Sequence, residues 1–281
     1  MARRRAEAGA ARPPVDRRDD AGPFDIIGDI HGCFDELVSL LKTLGYEVDP
    51  LPPGEGLGAA RHPDGRRVIF VGDLTDRGPR NVDVLRLAMG MVASGTALAV
   101  CGNHDDKLRR YLAGNPVVLN QGLDLTAAEL ERTSQTFRDA ALRLIEGMAD
   151  YLWLDGGELM VVHAGLREEM FGTTSGEVRR FALYGDVTGE VDENGMPVRG
   201  DWARDYRGEA TIVYGHTPMT RVRSVNRAIC IDTGCVFGNA LSAITWPETR
   251  VVSVPAAERY RVARRPLEVP DTAEILPAET A

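Results

Sequence analysis

Short apolar runs that stop close to a glycine punctuate most of the chain. Phe24–Ile27, Val68–Val71, Ala97–Val100, Leu159–Val162 and Thr211–Tyr214 each run straight through without polar alternation, and each meets glycine within three residues. Runs of this length and composition predict strands buried on both faces. Between the early ones the period changes. Phe34, Leu37, Leu40, Leu41 and Leu44 recur at helical spacing and Gly45 follows as a stop, while Val82–Val92 repeats the pattern. Thr126-Ala-Ala-Glu129 reads as a capping box opening a long amphipathic helix to about Met148. Later the chain turns to β structure: Tyr151–Asp155 and Glu158–Val162 predict a hairpin around Gly156-Gly157, and Ala228–Ile231, Ala240–Trp246 and Arg250–Val254 predict a meander. The expectation is an α/β protein, βαβ units first, with two packed sheets and helices outside.

The two ends depart from this pattern. Residues 1–22 carry many arginines without an apolar stretch and are expected to be a disordered basic arm; residues 256–281, rich in Pro, Glu and Ala, are expected to be a loose tail. A folded domain over 23–255 remains. Composition narrows its class. The 281 residues carry a net charge of −9, which does not recommend a nucleic-acid binder, so an anionic substrate would need a local positive site or bound cations. The four cysteines are too scattered for a disulfide framework and form no C-x-x-C pair, so structural zinc is not expected either and reduced thiols in a cytoplasm are. No run approaches a membrane span, and no G-x-x-x-x-G-K-S/T loop is present.

Histidine changes the picture most. Four of the five (His31, His104, His163 and His216) lie within two residues of a glycine just past a predicted strand, where Asp29, Asp73 and Asn103 also sit. A lone histidine in such a place is ordinarily a hydrogen-bonded turn residue. Four, accompanied by carboxylates in equivalent positions, converge on the carboxyl edge of an α/β sheet, where such folds place their sites. Imidazole and oxygen donors without thiolate suit Mn2+, Fe or Zn2+. Six or seven donors exceed one ion's capacity, so two cations sharing a carboxylate are expected.

The blocks G-D-I-H-G at 28–32, G-D-L-T-D-R-G at 72–78, G-N-H-D at 102–105, H-A-G at 163–165 and G-H-T at 215–217 resemble, in this order, the calcineurin-like metallophosphoesterases. The resemblance spans about Phe24 to Val254 and implies a two-sheet mixed β sandwich flanked by helices with a binuclear centre. It implies that Asp29 and His31 hold one metal, that Asp73 bridges, and that Asn103, His163 and His216 hold the other. The ions would be Mn2+, with Fe, Zn2+, Ni2+ or Co2+ as alternatives. Asp76 and His104 match the family's acid pair and Arg77 its phosphate-binding arginine; Asp105 stands where many relatives have Glu, and Thr75 where Val is frequent. The stretches Tyr184–Pro218 and Ile231–Ile244 are also similar to the phosphatase module of bacterial polynucleotide kinase-phosphatase RNA-repair enzymes.

That second likeness sets the substrate expectation: phosphate removal from nucleic-acid ends, such as an RNA 3′-phosphate or 2′,3′-cyclic phosphate, or from nucleotides. A separately encoded kinase or ligase partner would then be conceivable. Symmetrical dinucleoside-tetraphosphate hydrolases and serine/threonine phosphoprotein phosphatases share the blocks and remain alternatives; a non-catalytic, metal-stabilised binding protein is the reading from another class. Trp202, Arg204, Tyr206 and Arg207 form an aromatic-basic cluster able to stack a base and pair a phosphate, or equally to pack as a β-arch with a solvated rim. Asp232 is either a turn residue or a substrate or supporting contact, and His62, in a Pro/Gly-rich linker, is expected to be exposed.

Overall fold

A computed structural model describes residues 15–193 and 195–280. In chain order, β1 (Phe24–Ile27) leads to α1 (Phe34–Thr43), then β2 (Glu47–Val48), β3 (Ala60–Arg61) and β4 (Arg67–Phe70) lead to α2 (Asn81–Ala93). β5 (Ala97–Ala99) is followed by α3 (Asn103–Leu112), α4 (Leu123–Leu130) and α5 (Gln135–Glu146). β6 (Tyr151–Leu154) and β7 (Leu159–Val162) precede α6 (Gly176–Tyr184), the hairpin β8 (Val187–Val191) and β9 (Pro197–Arg199), and the single turn α7 (Trp202–Asp205). The chain ends in β10 (Thr211–Tyr214), β11 (Arg223–Val225), β12 (Ala228–Cys230), β13 (Ala240–Trp246), β14 (Val251–Pro255) and β15 (Ala278–Thr280).

Two sheets organise these strands, a six-stranded one in the order β15-β14-β13-β1-β4-β5 and a five-stranded one in the order β11-β12-β10-β7-β6. In the first, β1, β4 and the edge strand β5 are parallel; at the centre of the second, β7, β10 and β12 are parallel. Successive side chains point to opposite faces, so both faces of each central strand must be apolar. Phe24, Ile26, Ile69, Val71, Leu159, Val161 and Val213 meet in the core between the sheets. Their neighbours Ile27, Val68 and Phe70 face the helices of one outer layer, and Met160, Val162, Ile212 and Tyr214 those of the other. The unbroken apolar runs follow from this double burial.

Several elements differ from the sequence reading. The expected meander is divided: β13 and β14 pair antiparallel, but β12 lies in the other sheet between β10 and β11. The helix expected from Thr126 to Met148 is two helices, because Ser134 opens α5 afresh, its hydroxyl accepting from Phe137 N at 3.1 Å. His62 is not exposed; it packs edge-on against Tyr46 and its Nε2 lies 3.2 Å from Leu44 O.

The ends are corrected too. Residues 1–14 of the expected basic arm lie outside the described residues, but 15–22 are packed. Val15 and Arg17 exchange backbone hydrogen bonds with Trp153 on β6, and the Arg18 guanidinium stacks 4.3 Å from the Trp153 ring. The expected loose tail binds back as well. Arg261 N donates to Val236 O, Glu268 exchanges backbone hydrogen bonds with Pro218 and Thr220, and β15 pairs parallel with β14. Backbone hydrogen bonds hold these segments, helped by Val15, Tyr260 and Leu276 packed against the cores.

Candidate metal centre

The chemistry-bearing residues of both sheets meet at one edge of the sandwich. Asp29 and His31 follow β1; Asp73, Asp76 and Arg77 follow β4; Asn103 and His104 begin α3 just after β5. From the second sheet come His163 after β7, His216 after β10 and Asp232 after β12. The turns carrying them are strained. Of nine non-glycine residues with positive φ among the described residues, five are here: His31, Asp73, Asp76, Arg77 and His216. Such conformations persist only where surrounding structure enforces them, and they cluster at functional sites. Two glycines permit the crowding, since a Cβ on Gly102 would lie 2.2 Å from Asp73 Oδ1 and one on Gly215 2.0 Å from Asp29 Oδ1.

Asp73 is the geometric centre. Its Oδ2 lies 3.5 Å from His31 Nε2 and its Oδ1 3.5 Å from His163 Nε2, one oxygen toward each side. His31 Nδ1 lies 2.8 Å from Thr75 O and His163 Nδ1 2.9 Å from Val71 O, so each ring donates through Nδ1 and presents a bare Nε2 inward. The Nε2 of His163 also faces Asn103 Oδ1 and His216 Nδ1, both at 3.0 Å. The two oxygens of Asp29 accept from His216 N at 3.1 Å. Asp105 pins this frame from below, its carboxylate accepting from the amides of Asp73, Leu74 and Gly102.

Electrostatics amplify the crowding. Burial pushes Asp73 and Asp232 up to about 7 each, and burial with the neighbouring charges of Asp232 and Asp73 holds Asp29 well above the usual carboxylate range. Burial lowers His163 to about 4 and holds His31 and His216 well below their usual value, keeping the rings neutral. Two carboxylates, an amide oxygen and three imidazoles thus converge in a small, largely buried space. A donor set of this kind is satisfied by cations and by little else, so Asp29, His31, Asp73, Asn103, His163 and His216 fit the binuclear divalent centre that calcineurin-like phosphoesterases use.

His104 also lies within ligand distance of His31 and Asp73. Its Nδ1, however, is 2.6 Å from Asp76 Oδ2, and its Nε2 accepts from Arg77 Nη2 at 2.7 Å. Asp76, raised to about 6 by burial, is steadied in turn by the Thr126 hydroxyl, which donates to its Oδ1 at 2.6 Å. Arg77 lies over the centre, with Nη1 2.5 Å from His31 Nε2 and the Phe237 ring beneath its guanidinium at 5.5 Å. These five groups form one connected unit.

Of the remaining sequence-predicted residues, the structure brings in Asp232, and of the aromatic-basic cluster it brings Trp202 and Arg204 to a cavity beside the centre. Trp202 and Tyr206 are 7% and 4% exposed, with their polar atoms spent on Ala164 O and Ala210 O. Arg204 pairs with Asp201, Asp271 and Glu274, and Arg207 donates to backbone carbonyls. The cluster packs as an arch with a solvated rim, and its Trp202 and Arg204 also line the cavity beside His216. Arg199 was missed. It hangs from β9, donates through Nη2 to His216 Nε2 at 2.8 Å, and lines the same cavity of about 230 Å3 beside the centre with Tyr184, Trp202, Arg204 and Thr217. No motif marked it, because the β8–β9 hairpin reads as an ordinary polar loop.

Residues 22–235 match the family model described as calcineurin-like phosphoesterase. A bis(5′-nucleosyl)-tetraphosphatase PrpE (asymmetrical) from Bacillus subtilis (strain 168) is 47% identical over 249 residues, 87% of this chain and 99% of its own length. The protein of the same name from Geobacillus sp. (strain WCH70) is also 47% identical, over 84% of this chain and 96% of its own. A solved structure described as a putative diadenosine tetraphosphatase superposes with a TM-score of 0.61 at 26% identity, covering 86% of this chain and 97% of that one. A protein serine/threonine phosphatase from Saccharomyces cerevisiae shares the fold, with a TM-score of 0.55 at 15% identity over 82% of this chain and 75% of its own. No helix among the described residues is long and apolar enough to cross a membrane. The chain belongs to the calcineurin-like phosphoesterase family and is a metal-dependent phosphoester hydrolase.

Proposed function

We propose that the chain hydrolyses dinucleoside tetraphosphates, using two Mn2+ ions held by Asp29, His31, Asp73, Asn103, His163 and His216. The observation that carries this reading is the near-full-length likeness to proteins named as asymmetrical bis(5′-nucleosyl)-tetraphosphatases. That likeness displaces nucleic-acid ends as the first choice. When bound, the two cations supply Lewis acidity and an activated water.

The chain's own groups do the rest. The forked guanidinium of Arg77 grips non-bridging oxygens of the phosphate under attack, moving off His31 and His104 as it does so. Arg199 takes a neighbouring phosphate along the cavity beside His216. With Nδ1 held by Asp76, His104 presents Nε2 toward the leaving oxygen; once Arg77 has moved off it, that nitrogen takes up a proton from solvent and passes it to the leaving oxygen. Thr126, through Asp76, fixes the angle of that ring.

The test is product analysis with Mn2+ and diadenosine tetraphosphate. ATP and AMP in equal amounts are expected; ADP alone would mean symmetrical cleavage. Failure to cleave it, alongside turnover of a 3′-phosphorylated or 2′,3′-cyclic RNA end, would restore the second reading, which the likeness of Tyr184–Pro218 to polynucleotide phosphatases favours. A phosphopeptide arm covers the protein-phosphatase alternative.

A further inference from the structure

Beside the centre lies a second cluster that phosphoester hydrolysis leaves unused. Cys33 precedes α1, Glu36 sits in its first turn, and Cys235 follows β12 in a short turn that begins after Gly234. The three are 0%, 4% and 1% exposed. One ligand atom from each lies within 4.8 Å of the other two. Glu36 Oε1 accepts from Ala257 N at 2.9 Å and from the Tyr260 hydroxyl at 2.8 Å. Its other oxygen, Oε2, is buried without any hydrogen-bond partner, one of only two such side-chain atoms among the described residues. A buried acceptor left this way costs about 1–3 kcal/mol, more when ionised, and a bound ion is one of the few accounts of it.

We infer that Cys33, Glu36 and Cys235 form a separate site for one borderline-soft divalent cation, with Zn2+ the best match. Two thiols and a carboxylate are the donors such an ion selects, in contrast to the nitrogen and oxygen donors of the first centre. Tetrahedral Zn2+ at about 2.3 Å from sulfur places its ligands ~3.5–3.8 Å apart, so the α1 turn and the Cys235 turn need to approach by at most about 1 Å. The fourth position is open to the Tyr260 hydroxyl or to water. Tyr260 is only partly buried and Ala257 exposed, so the C-terminal strap forms the roof of the site and gives the ion a path in. Binding releases the two thiol protons and joins three elements: the turn after His31, the turn after Asp232, and the strap.

Cobalt and zinc test this without turnover, so failure here leaves the proposed hydrolase activity untouched. Metal-free full-length protein reloaded with Co2+ should show thiolate-to-cobalt charge-transfer absorption. Cys33→Ala and Cys235→Ala should each abolish that band, lower bound metal by about one equivalent, and keep the visible bands of the nitrogen and oxygen centre. Should the variants fold poorly, the wild type alone decides: X-ray absorption of the zinc-loaded protein should show sulfur scatterers at about 2.3 Å. A zinc spectrum without sulfur, or identical cobalt spectra in wild type and folded variants, would overturn the site and leave Cys33 and Cys235 as core thiols.

Discussion

One carboxylate divides the candidate centre. Asp73 sends Oδ2 toward His31 and Oδ1 toward His163 at equal distances of 3.5 Å, so the proposal that it bridges two cations has a sharp consequence. Asp73→Asn should lose both metals by elemental analysis and reduce turnover more than loss of any single peripheral donor; retention of one full equivalent would make Asp73 an ordinary ligand. The pKa shifts set a pH dependence with a definite sign. Asp73 and Asp232 titrate near 7 in the metal-free fold, because burial raises them, whereas His163 stays neutral down to about 4. Between those values a cation competes with protons on carboxylates and not on imidazoles. Apparent Mn2+ affinity should therefore climb with pH to about 7 and level off above it, as calorimetry with proton-release analysis can measure. His104 is separated from the ligands by leaving group. His104→Ala should keep both metals and slow alkyl phosphate esters roughly 10²-fold or more, while sparing p-nitrophenyl phosphate, whose leaving oxygen needs no proton. Equal losses on both ester types, or lost metal, would reassign the residue.

At the scale of elements, legibility depended on how local the cause was. The strand-end blocks were readable because a glycine, a ligand and a left-handed turn fall within three residues of one another, as at Gly72-Asp73 and Gly215-His216. Long-range partners left no such mark. Thr126 and Glu129 carry the signature of a capping box, yet both are used elsewhere: Thr126 accepts from Asp76 N and donates to its carboxylate, while Glu129 accepts from the amides of Asn81 and Val82. Those contacts cross about fifty residues of chain, and only the packing of α4 against the loop after β4 brings them together. Arg199 and the partners of the aromatic-basic cluster were hidden for the same reason. Thr126 is thus a positioning residue for the Asp76–His104 pair. Thr126→Val, which keeps shape and removes the hydroxyl, should leave metal content and KM intact, lower kcat about 10-fold on alkyl esters, and shift the acidic limb of the pH profile; an unchanged profile would reduce the hydroxyl to packing.

For the molecule as a whole, the division of donors between the sheets matters more than their number. Asp29, His31, Asp73 and Asn103 extend from the six-stranded sheet, and His163 and His216 from the five-stranded one. The core between the sheets is apolar and would hold them together without metal, but at this edge the metal-free protein gathers buried carboxylates and uncharged imidazoles whose mutual contacts are unfavourable. A cation held by Asp73 and Asn103 together with His163 and His216 would act across the sandwich as a staple, and the relief of that crowding would be folding energy. At a free Mn2+ concentration about a hundredfold above Kd, binding to the folded state alone contributes ~2.7 kcal/mol per site. For a chain of this length, where 1 kcal/mol shifts Tm by roughly 2–4 °C, chelation should lower Tm by about 5–10 °C per site emptied. His163→Ala provides the control, since its ring faces Asp73, Asn103 and His216 together. Its melting temperature should respond far less to Mn2+ than that of the wild type while the metal-free proteins melt within a few degrees of each other. A wild-type Tm indifferent to chelator, with metal loss verified, would mean that the sandwich is held by its core alone and that the centre serves catalysis without bracing the fold.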